Sequence, residues 1–103
     1  MTYTITTLYH QPEDPKAFLD YYKATHIPIA QKLPGLRELT IMEPEAGDDG
    51  DAPYIVVATV SWDSEADLDA ALASPEGQAA VGDLDNFAGA GVTMLRGARD
   101  SYL

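Results

Sequence analysis

One of the two histidines in this chain, His26, lies within the stretch YYKATHIPIAQKLPGL at residues 21–36. Imidazole exchanges protons near neutral pH, and apolar surroundings favour its neutral, basic form. His26 recurs at spacings of three and four with Phe18, Tyr22, Thr25, Ile29 and Leu33, so it points where the apolar residues of a helix point. Tyr22, one turn earlier, can orient the ring or donate a hydrogen bond to a developing enolate. Together they suit abstraction of a proton beside a carbonyl. Trp62, Phe87, Tyr54 and Met94 offer flat apolar walls for a small hydrophobic or aromatic ligand.

Each of these residues also has a plainer reading. A histidine on an apolar helix face is often a core residue satisfied by a backbone carbonyl, and Pro28 frees such carbonyls. Tyr22 and Trp62 can be packing residues at a helix–sheet seam or a dimer contact. Asp83 and Asp85 read either as capping and surface acids or as a partner for His26 across the fold. His10, beside Pro12, reads as a solvated turn residue, and nothing places it at metal-ligand spacing from His26. No metal and no cofactor is expected.

The elements that must hold these residues follow in order. Residues 3–9 alternate Tyr3, Ile5, Thr7 and Tyr9 against Thr4, Thr6 and Leu8, a first strand. Asp14 as N-cap and Pro15 as first helical residue start a helix that runs to about Leu33, disturbed near His26 by Pro28 and ended by Pro34 and Gly35. Residues 36–42 form a second strand. The acid- and glycine-rich residues 43–53 form a solvated loop whose aspartates do not match a calcium-loop register. Residues 54–62 are the strongest strand, with Tyr54, Val56, Ala58, Val60 and Trp62 predicted on one face and Ile55, Val57 and Thr59 on the other. Ser64 caps a short helix carrying Leu68 and Leu72. Ser74 and Pro75 start another that runs to about Leu84, and a last strand spans residues 92–96. The tail from Gly97 is too polar to assign.

The order is strand, helix, strand, strand, helix, strand: an α+β chain with the ferredoxin-like βαββαβ pattern and a four-stranded antiparallel sheet, as one domain over residues 1–103. The strands carry apolar residues on both sides, so the face without helices needs a cover, and a homodimer with sheets packed face to face supplies one. A formal net charge of −11 repels phosphate backbones and anionic lipid, which argues against nucleic acid and membrane partners. The acidity fits either plain solubility or high-salt adaptation. With no cysteine, disulfides and thiolate chemistry are excluded. The opening residues lack a leader pattern and no apolar run is long enough to span a bilayer, so a cytoplasmic location is the default expectation.

Several motifs converge on a known family. Tyr22, His26 and Pro28 read as Y-x-x-x-H-x-P, followed by L-P-G-L at residues 33–36, S-P-E-G at residues 74–77 and D-x-D-N-F at residues 83–87. This ordered set resembles the EthD family, a branch of the dimeric α+β barrel superfamily, over essentially the whole chain. The resemblance implies a ferredoxin-like protomer, a dimer, and a small pocket between helices and sheet near His26. Members are associated with ether degradation as accessory proteins, with polyketide cyclisation or decarboxylation, and often with no known activity; haem binding occurs elsewhere in the superfamily. No GxGxxG fingerprint is present, and Gly89 and Gly91 lead into a strand rather than open a helix. Two functions are carried forward. One is a cofactor-independent cyclase, isomerase, decarboxylase or oxygenase using His26 for proton transfer. The other is a non-catalytic dimer that binds a small molecule or haem and assists another enzyme.

Overall fold

The computed structural model describes all 103 residues. In chain order they form β1 (Thr2–His10), α1 (Pro15–Tyr21), a π-helical turn (Tyr22–His26), α2 (Ile27–Ala30), β2 (Glu38–Met42), β3 (Tyr54–Trp62), α3 (Glu65–Ala73), α4 (Pro75–Phe87) and β4 (Val92–Arg99). The sheet order is β2-β3-β1-β4 and every neighbouring pair is antiparallel. With the helices packed on one face, this is the ferredoxin-like α+β arrangement.

Local chemistry sets the helix starts where the sequence places them. Asp14 accepts a hydrogen bond from the Ala17 N–H at 3.1 Å, Ser64 from Asp67 at 3.1 Å and Ser74 from Gly77 at 3.0 Å. The ends differ from the sequence reading. The first helix stops at Ala30, because Lys32 and Leu33 already bond three residues back, to Ile29 and Ala30. Gly35 then takes φ 71°, Trp62 Nε1 donates to the Pro34 carbonyl at 2.9 Å, and β2 begins at Glu38 rather than Leu36. β4 continues to Arg99 because Ala98 and Arg99 pair with Tyr3 and Thr2, so ladder pairing overrides polar composition.

Two apolar clusters fill the space between helices and sheet. Ile5 and Trp62 pack with Ala30, Leu33, Leu68 and Ala71. Tyr9, Phe18, Tyr22, Ile55, Val56 and Ala58 form the second. The presence of Ile55 there marks a departure from simple alternation. Tyr9 pairs with Val56 but His10 pairs with Tyr54, so β3 carries a bulge that turns Ile55 and Val56 both inward. Tyr54 is thereby moved to the opposite face, where its ring meets that of His10 edge-on at 5.5 Å. His10 itself ends β1 instead of lying in a turn, and its Nε2 is 2.8 Å from Thr93 Oγ1.

The sheet face away from the helices has no covering element. Met42 and Leu95 stand there 56% and 57% exposed. At one end of the same face, the Ser61 hydroxyl donates to Glu38 at 2.8 Å, Thr4 lies 2.9 Å from Ser61, and Arg99 donates to Glu38 at 2.6 Å.

At the crossing of α3 and α4, Gly77 is buried, and a Cβ there would collide with the carbonyl oxygens of Ala71 and Leu72. Gly77→Ala is therefore expected to lower stability by about 2–3 kcal/mol. Gly82→Ala, with open space around it on the same helix, should raise stability by about 0.5–1 kcal/mol. Urea denaturation of both variants checks the pair.

Candidate functional site

The site begins with the broken ladder of the first helix. Pro28 has no N–H to give the Ala24 carbonyl, and just before it the Ile27 N–H reaches back five residues to the Tyr22 carbonyl. In an unbroken α-helix Tyr21 and His26, five positions apart, would lie about 140° apart around the axis. The π-helical turn brings them to one side, and both meet Asp83 of α4. Tyr21 donates to Asp83 Oδ1 at 2.7 Å, and His26 Nδ1 is 2.8 Å from Asp83 Oδ2. Asn86, one turn further along α4, donates to Asp83 Oδ1 at 2.9 Å.

Burial pushes the Asp83 carboxyl up, but the hydrogen bonds from Asn86, Tyr21 and His26 outweigh it and hold the group below the usual carboxylate value. Asp83 is therefore ionised at neutral pH and can only accept. With Asp83 able only to accept, the proton in the His26–Asp83 bond sits on Nδ1, and in its uncharged form the ring presents a lone pair at Nε2. His26 is 6% exposed, its Nε2 has no partner within the protein, and the ring borders a cavity of about 150 Å³.

This cavity lies between helices and sheet. Of its 17 lining residues, 15 are apolar or aromatic, leaving His26 and Thr7 as the polar exceptions. Tyr9 and Tyr22 line it beside His26, with ring centroids 6.5 and 5.5 Å from the imidazole. Burial pushes the Tyr22 phenol up to about 12, with the neighbouring Tyr9 hydroxyl pulling the other way, and burial pushes Tyr9 up further. Both are neutral donors near the ring. Phe87 packs against the imidazole at 4.7 Å.

The residues singled out from sequence are distributed unevenly. His26, Tyr22, Trp62 and Met94 border the cavity. Phe87 supports the imidazole without lining the cavity, and the bulge in β3 takes Tyr54 away from it altogether. Sequence reasoning gave no site role to Tyr9, Tyr21 or Asn86, and left Asp83 undecided against Asp85. A signal for Asp83 was present: Ala80, Asp83, Leu84 and Phe87 share one helical face at spacings of three and four, and Asp85 does not. No three His, Cys, Asp or Glu side chains converge as a metal site, and no helix is long and apolar enough to cross a membrane.

Comparison with known proteins places the chain in a family. The EthD domain model matches residues 10–91. The chain belongs to the EthD family. Within reach of this EthD chain by sequence is an uncharacterised 11.0 kDa protein of the thcB-thcC intergenic region in Rhodococcus erythropolis, 37% identical over 93 residues and 90% of each chain. The crystal structure of an EthD family protein from Bacillus halodurans superposes with a TM-score of 0.91 at 31% identity, covering 97% of this chain and 100% of that one. More distant structures share the fold alone. SnoaB, a cofactor-independent oxygenase from Streptomyces nogalater, gives a TM-score of 0.65 at 18% identity over 98% and 95% of the two chains. A dimeric ferredoxin-like protein from Jannaschia gives 0.65 at 21% over 95% and 98%.

The lowered Asp83 value fixes a sign for the EthD chain's acid response. A depressed carboxylate stabilises the fold fully above its unfolded value of about 3.9, and that contribution is lost as pH falls through the lower folded value. Urea midpoints of wild type and Asp83→Asn should differ most above about pH 4 and converge towards about pH 2. A constant gap across that range would contradict the assignment.

Proposed function

We propose that the protein is a cofactor-independent enzyme in which His26 acts as general base on a small carbonyl or aromatic compound. The observation that carries this reading is an imidazole on the border of an apolar cavity, with Nδ1 anchored by Asp83 and Nε2 without a protein partner. The proton on a carbon beside a carbonyl passes to Nε2, and the C–H electron pair moves into the carbonyl to give an enolate. Asp83 stabilises the imidazolium so formed, and the Tyr22 or Tyr9 phenol can donate to the enolate oxygen. The enolate carbon then attacks a second carbonyl in the same molecule, or is reprotonated at another position, and His26 returns its proton. The same first step opens a cofactor-free oxygenation with dioxygen as co-reactant, the class of reaction named for SnoaB.

A second reading, a non-catalytic dimer that binds a small hydrophobic molecule for another enzyme, is favoured by the almost wholly apolar walls. The volume of about 150 Å³ favours a small molecule over haem as the ligand of this second reading. In both readings a second copy covers the open sheet face, where Met42 and Leu95 are exposed, as the dimeric ferredoxin-like neighbours suggest.

Deuterium exchange at the α-carbons of cyclohexanone, followed by NMR, separates the readings. Wild type should accelerate the exchange, and His26→Ala should lose about a hundredfold or more of that acceleration with its fold intact by circular dichroism. No acceleration by wild type, with ligand affinity unchanged in His26→Ala, favours the binder. For assembly, the double variant Met42→Asp, Leu95→Asp should sediment as a monomer where wild type sediments as a dimer.

A further inference from the structure

We infer that the cavity takes an uncharged, single-ring compound, a phenol or cyclic enolisable ketone. Its one polar group faces His26 Nε2, and its apolar substituent leaves between Val81 of α4 and Met94 of β4. The position of the reacting atom rests on the general-base reading; the size, charge and direction of the ligand do not. A volume of about 150 Å³ walled by aliphatic and aromatic side chains matches one benzene-sized ring.

The charge follows from what the walls lack. No Lys or Arg lines the cavity, and the charge nearest its polar end is the Asp83 carboxylate behind the imidazole. An anion would be buried beside a carboxylate with no counter-ion, which apolar surroundings make costly. The chain's net charge of −11 adds to that repulsion.

Direction follows from exposure. Trp62 is fully buried and Tyr22 is 2% exposed, whereas Val81 and Met94 are 51% and 48% exposed while still lining the same space. The opening therefore lies between α4 and β4, and a ring seated against His26 projects its far substituent there.

Calorimetric titration of purified full-length protein with phenol, para-pentylphenol and benzoate tests the inference, with nitrogen NMR of the His26 ring as a second readout. Phenol and para-pentylphenol should bind and shift the Nε2 resonance, and benzoate should bind at least about tenfold more weakly than phenol. Val81→Trp, at an exposed position, should weaken para-pentylphenol by about tenfold or more and phenol by less than about threefold. Benzoate binding as tightly as phenol, failure of phenol to bind, or equal loss of both phenols in Val81→Trp would overturn it. If cyclohexanone exchange is absent while this pattern holds, the ligand class stands and the base fails. Exchange with tight benzoate binding sinks the class and leaves the base.

Discussion

The hydrogen bond between His26 and Asp83 joins the broken first helix to α4 in the interior and anchors the imidazole at the cavity's edge. A buried carboxylate is costly unless its lone pairs are occupied, and here three donors from two helices occupy them. Removing any one donor leaves charge less compensated in a place water does not easily reach. The same contact fixes the imidazole tautomer, so one pair of atoms ties the helices together and sets which ring nitrogen is left free. Pro28 stands behind both. By denying the Ala24 carbonyl its α-helical partner, it favours the wider turn that puts Tyr21 and His26 over the same acid.

Around this bond lies a set of rings rather than a set of charges. Tyr9, Tyr22, Phe18 and Phe87 contact one another with centroids 5.2 to 5.7 Å apart, and the imidazole is packed into their edge. Such rings hold His26 in place without competing for its free nitrogen. They also leave any ligand in the cavity to find its polar partners among very few groups. The aromatic cluster thus positions the imidazole, and the walls of the cavity beyond it are apolar.

Much of the architecture was legible because it rests on local rules. Asp14, Ser64 and Ser74 cap helices where residue type alone puts them, and the six-element order fixed the sheet topology. The disturbance at His26 was legible from Pro28, but its form was not: α-helical phasing sets Tyr21 well away from His26, and only five-residue hydrogen bonding unites them. The wall assigned to Tyr54 failed for a related reason. Strict alternation assumes an unbroken ladder, and one extra residue in β3 reverses Tyr54, the one residue of the strand before it. The choice between Asp83 and Asp85 depended on which face α4 turns inward, a matter settled by the close approach at Gly77 and by the apolar stripe of Ala80, Leu84 and Phe87.

β4 is a boundary one strand thick. Met94 borders the internal space, and Leu95, its immediate neighbour in sequence, stands on the reverse of the sheet. A guest that displaces Met94 beyond what its flexible side chain absorbs would strain the backbone that also carries Leu95. Anything resting on Leu95 would then feel that strain. Thermodynamic reciprocity would make the converse hold to the same degree, so any such strain would link occupancy of the interior to association through the reverse face.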